Sequence, residues 1–457
     1  MASPSASGPS QSVHPEQARL TDGRADVGQQ LAKKRGPPWI SHSLSSPSLA
    51  GGADVINAGI DWAEKHPQQY VILNEKGQPL KEGSFDRSVD GVYEFISALR
   101  DLEPHPAQVR IGIDRKHDII TQVLVAEGYR VFPINPKSSD RARDCFRPAG
   151  GKDDRTDARV HAEMVRTSFR RMEALQPQKE LDRQLKGLLR LRQRYVKMRS
   201  QQKQILGSLI SQISPTLRSL CGAFRRDWVR DMLEEFPLHQ DLCEAHGNQL
   251  NRFLREHRMS AETKQDIRAV RGQTPVIFSD QEADTYRKQI HSLLSLICSF
   301  DEEIEKLDER VSILLEQHPD AEIFRSLPSG SDVTLGALIA AFGADRDDTR
   351  SWRQYAAYFG TSPITEQSGG SRSVHKRRAY DSLSFRALEN LADATRRRAG
   401  CWASTYYQRK RAEGKGYYHA LRCLAHRWVK ILHAMWRNRT LYDEAYHTQR
   451  RKCTGSP

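Results

Sequence analysis

The sequence predicts a mixed α/β domain, then long helices, then a basic and mainly helical C-terminal region. Three observations carry this. Short apolar runs alternate with turn residues between Val55 and Asn135; apolar positions recur at helical spacing from Glu180 to Gln317; no strand-like alternation of comparable length follows. At 457 residues the chain is longer than one hydrophobic core usually organises, so two or three domains are expected.

Residues 1–53 are rich in Ser, Pro, Gly and Gln, as in SPSASGPSQS, and lack apolar periodicity. Such a segment buries too little apolar surface to offset its ordering entropy, and a disordered extension is expected there. From Val55 the texture changes. VINAGIDWA, QYVILN and KEGSFD read as three short strands separated by turns. A helix follows from Val89 to Leu102, with Val92, Phe95, Ile96 and Leu99 on one face. VRIGID, a helix over Ile119–Ala126, and YRVFPIN ending at Asn135-Pro136 complete the order β-β-β-α-β-α-β. That order is a mixed sheet with crossover helices, and it assigns 54–175 to one α/β domain.

Residues 176–320 read as a helical region. Leu181, Leu185, Leu188, Tyr195, Met198, Ile205 and Leu209 mark a first long helix, which Pro215 stops. In a second, Tyr286, Ile290, Leu293, Ile297, Phe300, Ile304, Leu307, Val311 and Leu314 step alternately by four and three residues. That is the heptad seam of a coiled coil, and an antiparallel hairpin, a dimerisation arm or both are expected. Residues 321–450 form a further helical domain with breaks at Pro328-Ser329-Gly330 and Thr361–Gly370, and 451–457 a short tail.

Charge is distributed unevenly. The net charge of +14 lies wholly from Ser371 onward, where 20 Lys and Arg face 6 Asp and Glu, while residues 1–370 are balanced. A polyanion is the expected partner, and with no amphipathic anchor or lipidation signal that partner is nucleic acid, not a membrane surface. Arg372, Lys376, Arg377, Arg378, Arg396, Arg397 and Arg398 are the candidate phosphate contacts. The aromatics interleaved with the later arginines offer stacking faces, although Trp428 and Trp436, two turns apart among Leu and Ile, read as core. The seven cysteines are scattered without metal-type spacing, as buried thiols in a reducing compartment are. No apolar run is long enough to span a bilayer and no signal-peptide core is present, so a soluble cytoplasmic protein is expected.

Four acids form the first chemical constellation. Asp61 ends the first strand and Asp114 the fourth, and adjacent strands that end in acids bring carboxylates to one sheet edge. Asp154 and Asp157, in Lys152-Asp153-Asp154-Arg155-Thr156-Asp157-Ala158, are three apart at the start of a helix and share its face. Aspartates in such places are ordinarily turn and cap residues. Four converging on one edge would repel unless a divalent cation sat among them, and Mg²⁺ takes such oxygen ligands. The second constellation is Ser368 in Gly360-Thr361-Ser362-Pro363-Ile364-Thr365-Glu366-Gln367-Ser368-Gly369-Gly370, followed by the basic run Arg372–Arg378. By composition, Ser-Gly-Gly reads as a flexible loop; its hydroxyl beside cationic side chains also suits attack on a phosphate.

GIDWA, the later acid in IGID, KDDRTDA and SPITEQSGG together resemble the DEDD-type insertion-sequence transposases, the Piv/MooV-like recombinases. The resemblance covers about residues 54–450. It implies an α/β RNase H-like (RuvC-like) N-terminal domain, long coiled-coil helices and a mainly α-helical C-terminal transposase domain. It further implies that Asp61, Asp114, Asp154 and Asp157 hold Mg²⁺ and that Ser368 is the nucleophile that joins a DNA 5′ phosphate. DNA, an element-encoded guide RNA and a homo-oligomer of two or four copies are the implied partners, and a bacterial or archaeal nucleoid the implied location. Two departures stand out: Asp114 replaces the family's usual Glu, and Pro328-Ser329-Gly330-Ser331 replaces its Pro-Gly-x-Gly turn. Two alternatives fit parts of the same pattern. A junction nuclease that uses water accounts for the acids and leaves Ser368 idle. A catalytically inactive, nucleic-acid-binding dimer accounts for the charge and the heptads.

Overall fold

The computed structural model describes residues 55–453, apart from 63–66, 115–117, 147–152, 178, 225 and 344–349. The expected disordered extension 1–53 and residues 454–457 of the tail lie outside the described residues. The chain divides into two compact units, one ending at Leu175 and the other starting at Gln176.

In the first unit, β1 (Ile56–Asp61), β2 (Gln68–Leu73) and β3 (Pro79–Phe85) form an antiparallel meander. After helix α1 (Val89–Arg100), β4 (Val109–Ile113) pairs parallel to β1; after α2 (Ile119–Ala126), β5 (Arg130–Pro133) pairs parallel to β4. The sheet order is β3-β2-β1-β4-β5. Alternation along the strands assigns the two faces. Ile56, Ala58 and Ile60 of β1, with Val109, Ile111 and Ile113 of β4, pack with Phe95 and Leu99 of α1 and Ile120 and Leu124 of α2. The intervening Gly59 and Gly112, opposite each other in register, face the other way.

That second face is covered by α4 (Asp154–Ser168), which follows α3 (Pro136–Phe146). The approach is close enough to require both glycines. A Cβ on Gly59 would stand 2.0 Å from the Ala158 carbonyl oxygen and 2.3 Å from the Ala162 nitrogen; one on Gly112 would stand 2.7 Å from the His161 carbonyl oxygen. Asp153 caps α4, its carboxylate accepting from the Thr156 amide at 2.7 Å.

In the second unit, α5 (Glu180–Ile213) and α11 (Asp280–Glu316) lie antiparallel: Arg192 pairs with Asp308 and Arg199 with Asp301, and the Tyr195 and Phe300 rings are 5.8 Å apart. Within the seam, Ile290, Ile297, Ile304 and Val311 are buried, while Tyr286, Leu293, Phe300 and Leu307 are half-buried. The helices are joined by a head of five short helices: α6 (Pro215–Cys221), α7 (Asp227–Glu235), α8 (His239–Glu244), α9 (Gly247–Glu256) and α10 (Ala261–Arg271). The head has its own core, built on residues such as Leu217, Met232, Phe236, Phe253 and Ile267. None of these helices is apparent in the sequence. At 6 to 11 residues each, they offer too few turns for an apolar period to show.

The opposite end of the hairpin carries the C-terminal core. It comprises α12 (Ala321–Arg325), α13 (Asp332–Phe342), α14 (Trp352–Tyr358), a hairpin of β6 (Ile364–Ser368) and β7 (Ser371–His375), α15 (Ser382–Arg396), α16 (Trp402–Ala412), α17 (Tyr417–Asn438) and α18 (Glu444–Cys453). Leu185, Leu189, Val311 and Leu315 root the two long helices in this core. Trp428 and Trp436 are fully buried at its centre, their indole N–H groups donating to Thr395 Oγ1 at 3.0 Å and to the Gly343 carbonyl at 2.7 Å. A second buried polar link closes the base of the hairpin, where His318 Nε2 donates to Asp182 at 2.9 Å. The β6–β7 pair corrects the reading of Thr361–Gly370 as a plain break. Its strands are five residues long and mostly exposed polar, so no apolar alternation announces them. Among the described residues, no helix is long and apolar enough to cross a membrane.

Candidate active site

The acids of the first unit are placed by strand parity. Asp61 continues the Asn57–Gly59 face of β1, and Asp114 follows β4 on the Arg110–Gly112 face, with Ile60 and Ile113 paired in register just before them. Both therefore stand on the α4 side of the sheet, at one edge. The contact of α4 with Gly59 brings Asp157 to the same edge, where it is 6 % exposed. Asp154, one turn earlier, is exposed.

Two residues that sequence reading had not singled out complete this edge. Arg143 of α3 donates through Nε to Asp157 Oδ1 at 2.6 Å and through Nη1 to Asp140 at 3.2 Å. His161, one turn beyond Asp157, is buried. Its Nδ1–H donates to the Ile60 carbonyl at 2.8 Å, and Nε2 accepts from the Ser139 hydroxyl at 3.0 Å. Burial pushes the His161 pKa down, against the opposing pull of Asp114 and Asp157, so the ring is neutral at pH 7. The signal for His161 was present in the sequence as the i+4 partner of Asp157; for Arg143 there was none.

In the second unit, Ser368 ends β6 opposite Ser371, and Gly369-Gly370 close the turn, Gly369 with a left-handed φ of +55°. Ser368 is exposed and Arg372 lies opposite its neighbour Gln367. The base of the hairpin is held firmly. Thr361 is buried and hydrogen-bonds Ala356 through both its amide (2.9 Å) and its hydroxyl (3.2 Å). Arg377 Nε donates to the Ser362 carbonyl at 3.3 Å, and the Asp381 amide to the Tyr358 carbonyl at 3.0 Å. Gly360, at φ +70°, lets the Tyr380 ring approach within 2.6 Å of where a Cβ would be.

Two family models match this chain in the same two regions. A DEDD-type IS110 transposase model covers residues 58–215, the acid edge included, and a model for the transposase IS116/IS110/IS902 family covers 321–408, the serine hairpin included. The chain belongs to the IS110-type insertion-sequence transposases. It is 27 % identical over 406 residues to the mini-circle putative transposase for IS117 of Streptomyces coelicolor, covering 85 % of this chain and 95 % of that one. It is also 27 % identical over 414 residues to the insertion element IS900 uncharacterized 42 kDa protein of Mycobacterium paratuberculosis, covering 87 % and 99 %. The insertion element IS116 uncharacterized 44.8 kDa protein of Streptomyces clavuligerus matches at 26 % over 398 residues, covering 86 % and 97 %. This transposase is accordingly an enzyme acting on DNA.

Its basic residues divide into committed and available groups. Arg396 and Arg397 both pair with Asp393, at 2.7 and 2.5 Å, and Arg396 also lies over the Tyr407 and Tyr417 rings. Arg398 donates to the Pro328 carbonyl, bracing the turn that departs from the family pattern. Arg372, Lys376 and Arg378 are exposed around the hairpin, Lys376 near the Phe385 ring. Of the interleaved aromatics, Trp402, Tyr406 and Tyr407 are buried, and Tyr418 is the most exposed.

The donor set at the acid edge is all carboxylate, oxygen ligands of the kind that a hard divalent cation takes. The positive charge that Asp157 receives here is the Arg143 guanidinium. No group of three or more Asp, Glu, His or Cys side chains is gathered tightly enough to hold a metal ion among the described residues. The transposase thus has oxygen donors of the right chemistry on one edge, one of them, Asp157, paired with the Arg143 guanidinium.

Proposed function

We propose that this transposase cuts and rejoins DNA with two chemical centres, the acid edge as a Mg²⁺ site and Ser368 as the nucleophile. The observation that supports the reading is strand parity, which sets Asp61 and Asp114 on the face of the sheet that α4, the helix of Asp157, covers. The sheet order β3-β2-β1-β4-β5, with β2 alone running antiparallel to the other four strands, agrees with an RNase H-like domain. Asp61, Asp114 and Asp157, with Asp154 beside them, would hold the ion; a bound divalent cation offsets charge that develops on phosphoryl oxygens. His161, neutral and doubly hydrogen-bonded, fixes α4 to the end of β1 and so positions Asp157.

Ser368 Oγ attacks the scissile phosphorus. A serine–phosphate bond forms, the bond to the 3′ oxygen breaks, the hydroxyl proton passes to solvent or base, and a 3′ hydroxyl is released. Attack by a 3′ hydroxyl on the phosphoserine restores the diester and frees Ser368. An exposed hydroxyl at a hairpin tip, flanked by Arg372, Lys376 and Arg378, suits that in-line approach. The family resemblance extends the proposal to an element-encoded guide RNA and to assembly as a dimer or tetramer.

The test is recombination between two plasmids, with the element's flanking non-coding DNA supplied, for wild type, Asp61→Ala and Ser368→Ala. Wild type should give clean junctions and both variants none. In purified reactions, Ser368→Ala should lose the covalent protein–DNA adduct while DNA binding is nearly unchanged. Adducts that persist in Ser368→Ala would overturn the nucleophile assignment, and free 5′ phosphates without adduct would support hydrolysis by water.

A further inference from the structure

Almost all of the helical head, residues 216–279, belongs to neither matched region, since the family models end at residue 215 and resume at 321. Its surface carries a groove of about 380 Å³ between α9 and α10, lined by Asn248, Asn251, Leu254, Arg255, Lys264 and Arg268. Asn248, Asn251 and Arg255 follow one another at i, i+3 and i+7 on α9, and Lys264 and Arg268 at i and i+4 on α10. Each set therefore forms a single stripe on its helix. Leu254, buried, forms the floor.

The charge of this groove is uncompensated. No acid lines it, and none of Arg255, Lys264 and Arg268 has an acidic partner among the described residues. Arg255 Nε reaches only the Asn251 carbonyl of its own helix, at 3.3 Å. Other arginines of the head are satisfied internally: Arg252 pairs with Glu235 at 3.1 Å, Arg271 donates to the Ala245 carbonyl at 2.6 Å, and Arg218 to the Gly222 carbonyl at 2.7 Å. Three neighbouring cations without counterions repel one another, and that repulsion is relieved when a polyanion supplies the missing charge. The groove runs open between two helices and contains no buried polar group, so it suits an extended backbone and not an enclosed small ion.

We infer that the head is a second DNA contact of this transposase, with Arg255, Lys264 and Arg268 gripping duplex phosphates and Asn248 and Asn251 hydrogen-bonding them. The inference rests on the family's action on DNA and is independent of the metal and serine assignments. The reach of the hairpin gives it a purpose. On α5, Leu189 belongs to the C-terminal core and Leu206 to the head core. At 1.5 Å per residue the two are about 25 Å apart, or about seven base pairs of duplex at roughly 3.4 Å each. The head would thus hold DNA flanking the segment engaged near Ser368, by a contact that carries no base sequence.

The experiment compares full-length wild type with the triple variant Arg255→Gln, Lys264→Gln, Arg268→Gln, all three exposed or half-exposed, after matched melting curves. Affinity for a 40-base-pair element-end duplex, an unrelated duplex of equal length, a structured RNA and a polyglutamate peptide is read by fluorescence anisotropy across salt concentrations. The variant should weaken both duplexes by the same factor, about tenfold, and reduce the slope of log affinity against log salt by about two to three, at roughly 0.9 per phosphate contact. An unchanged slope, or a loss confined to the RNA or the peptide, would overturn the proposal. Should the variant melt early, a photo-crosslinking residue at Asn251 in otherwise wild-type protein decides the matter: crosslinks to the 40-base-pair duplex support the contact, and their absence refutes it. Loss of head binding with adduct formation on short duplexes intact separates this result from any failure of the Ser368 assignment.

Discussion

The acid edge and the serine hairpin are built on opposite plans. The acids are held by a buried sheet, by a helix packed so closely that two glycines are obligatory, and by a neutral histidine bonded at both nitrogens. Ser368 projects from a two-stranded hairpin that is exposed along most of its length and anchored only at its base. An isolated hairpin of two strands is marginal in stability, so this one depends on the contacts at its base. The contrast teaches that the acids stand on a buried, closely packed frame, whereas Ser368 stands on an exposed hairpin tied down at its base.

That contrast breaks at Gly59. Gly59→Val places methyl groups where the Ala158 carbonyl and Ala162 nitrogen stand, and α4 must lift away. We expect destabilisation of the first unit by about 3 kcal/mol or more, with loss of DNA cleavage, measured by denaturant unfolding and a nicking assay. Undiminished cleavage would show that α4 does not set the acids. Trp428→Ala is the matching probe of the second unit; removing a fully buried indole should cost about 3–5 kcal/mol and leave the transition of the first unit in place.

Proton linkage gives a smaller effect. Burial lowers the folded-state pKa of His161 below its ordinary 6.5, so its contribution is complete above about pH 6.5 and declines as the pH falls and the unfolded chain takes up the proton. The first unit should lose up to about 1.4 kcal/mol per pH unit below that point. His161→Asn should flatten this part of the pH profile; an identical slope in the variant would assign the effect to other groups.

The smallest effects fall at the hairpin tip. A Cβ meets nothing within 4 Å at either Gly369 or Gly370, but only Gly369 has a left-handed φ. Gly369→Ala should cost about 1–2 kcal/mol of local backbone energy, seen as slower adduct formation with the global melting temperature unchanged. Gly370→Ala should be within a few tenths of a kcal/mol of wild type. Equal rates in the two variants would mean that the turn conformation plays no part in positioning Ser368.

Much of the acid edge was legible in the sequence because the information is local. Period-two alternation in INAGID and VRIGI fixes the face on which Asp61 and Asp114 stand, whereas the three-residue spacing of Asp154 and Asp157 does not tell that the first is exposed and the second buried. The long helices were equally legible, since nine seam positions repeat the same signal from Tyr286 to Leu314. The head was not, because five helices of six to eleven residues hold one or two turns of pattern each. The β6–β7 strands were not, because polar strands outside a core carry no apolar period. Nor were the fates of the arginines: Arg396 and Arg397 look available in sequence, yet Asp393 lies one turn away on their own helix and takes both.

The sequence by itself determined the β-β-β-α-β-α-β order of the first unit, the two long helices, the parity of Asp61 and Asp114, the core role of Trp428 and Trp436, and the concentration of charge beyond Ser371. Each follows from spacing along one element, where backbone geometry is fixed. The tertiary structure decided what depends on partners distant in the chain. It set Arg143 against Asp157 and His161 against Ile60. It joined Asp182 to His318 across 136 residues and left Arg255, Lys264 and Arg268 without an acid beside them. Whether a charge is neutralised or left to bind depends on what the fold brings within a few ångströms, and no spacing along the chain records that.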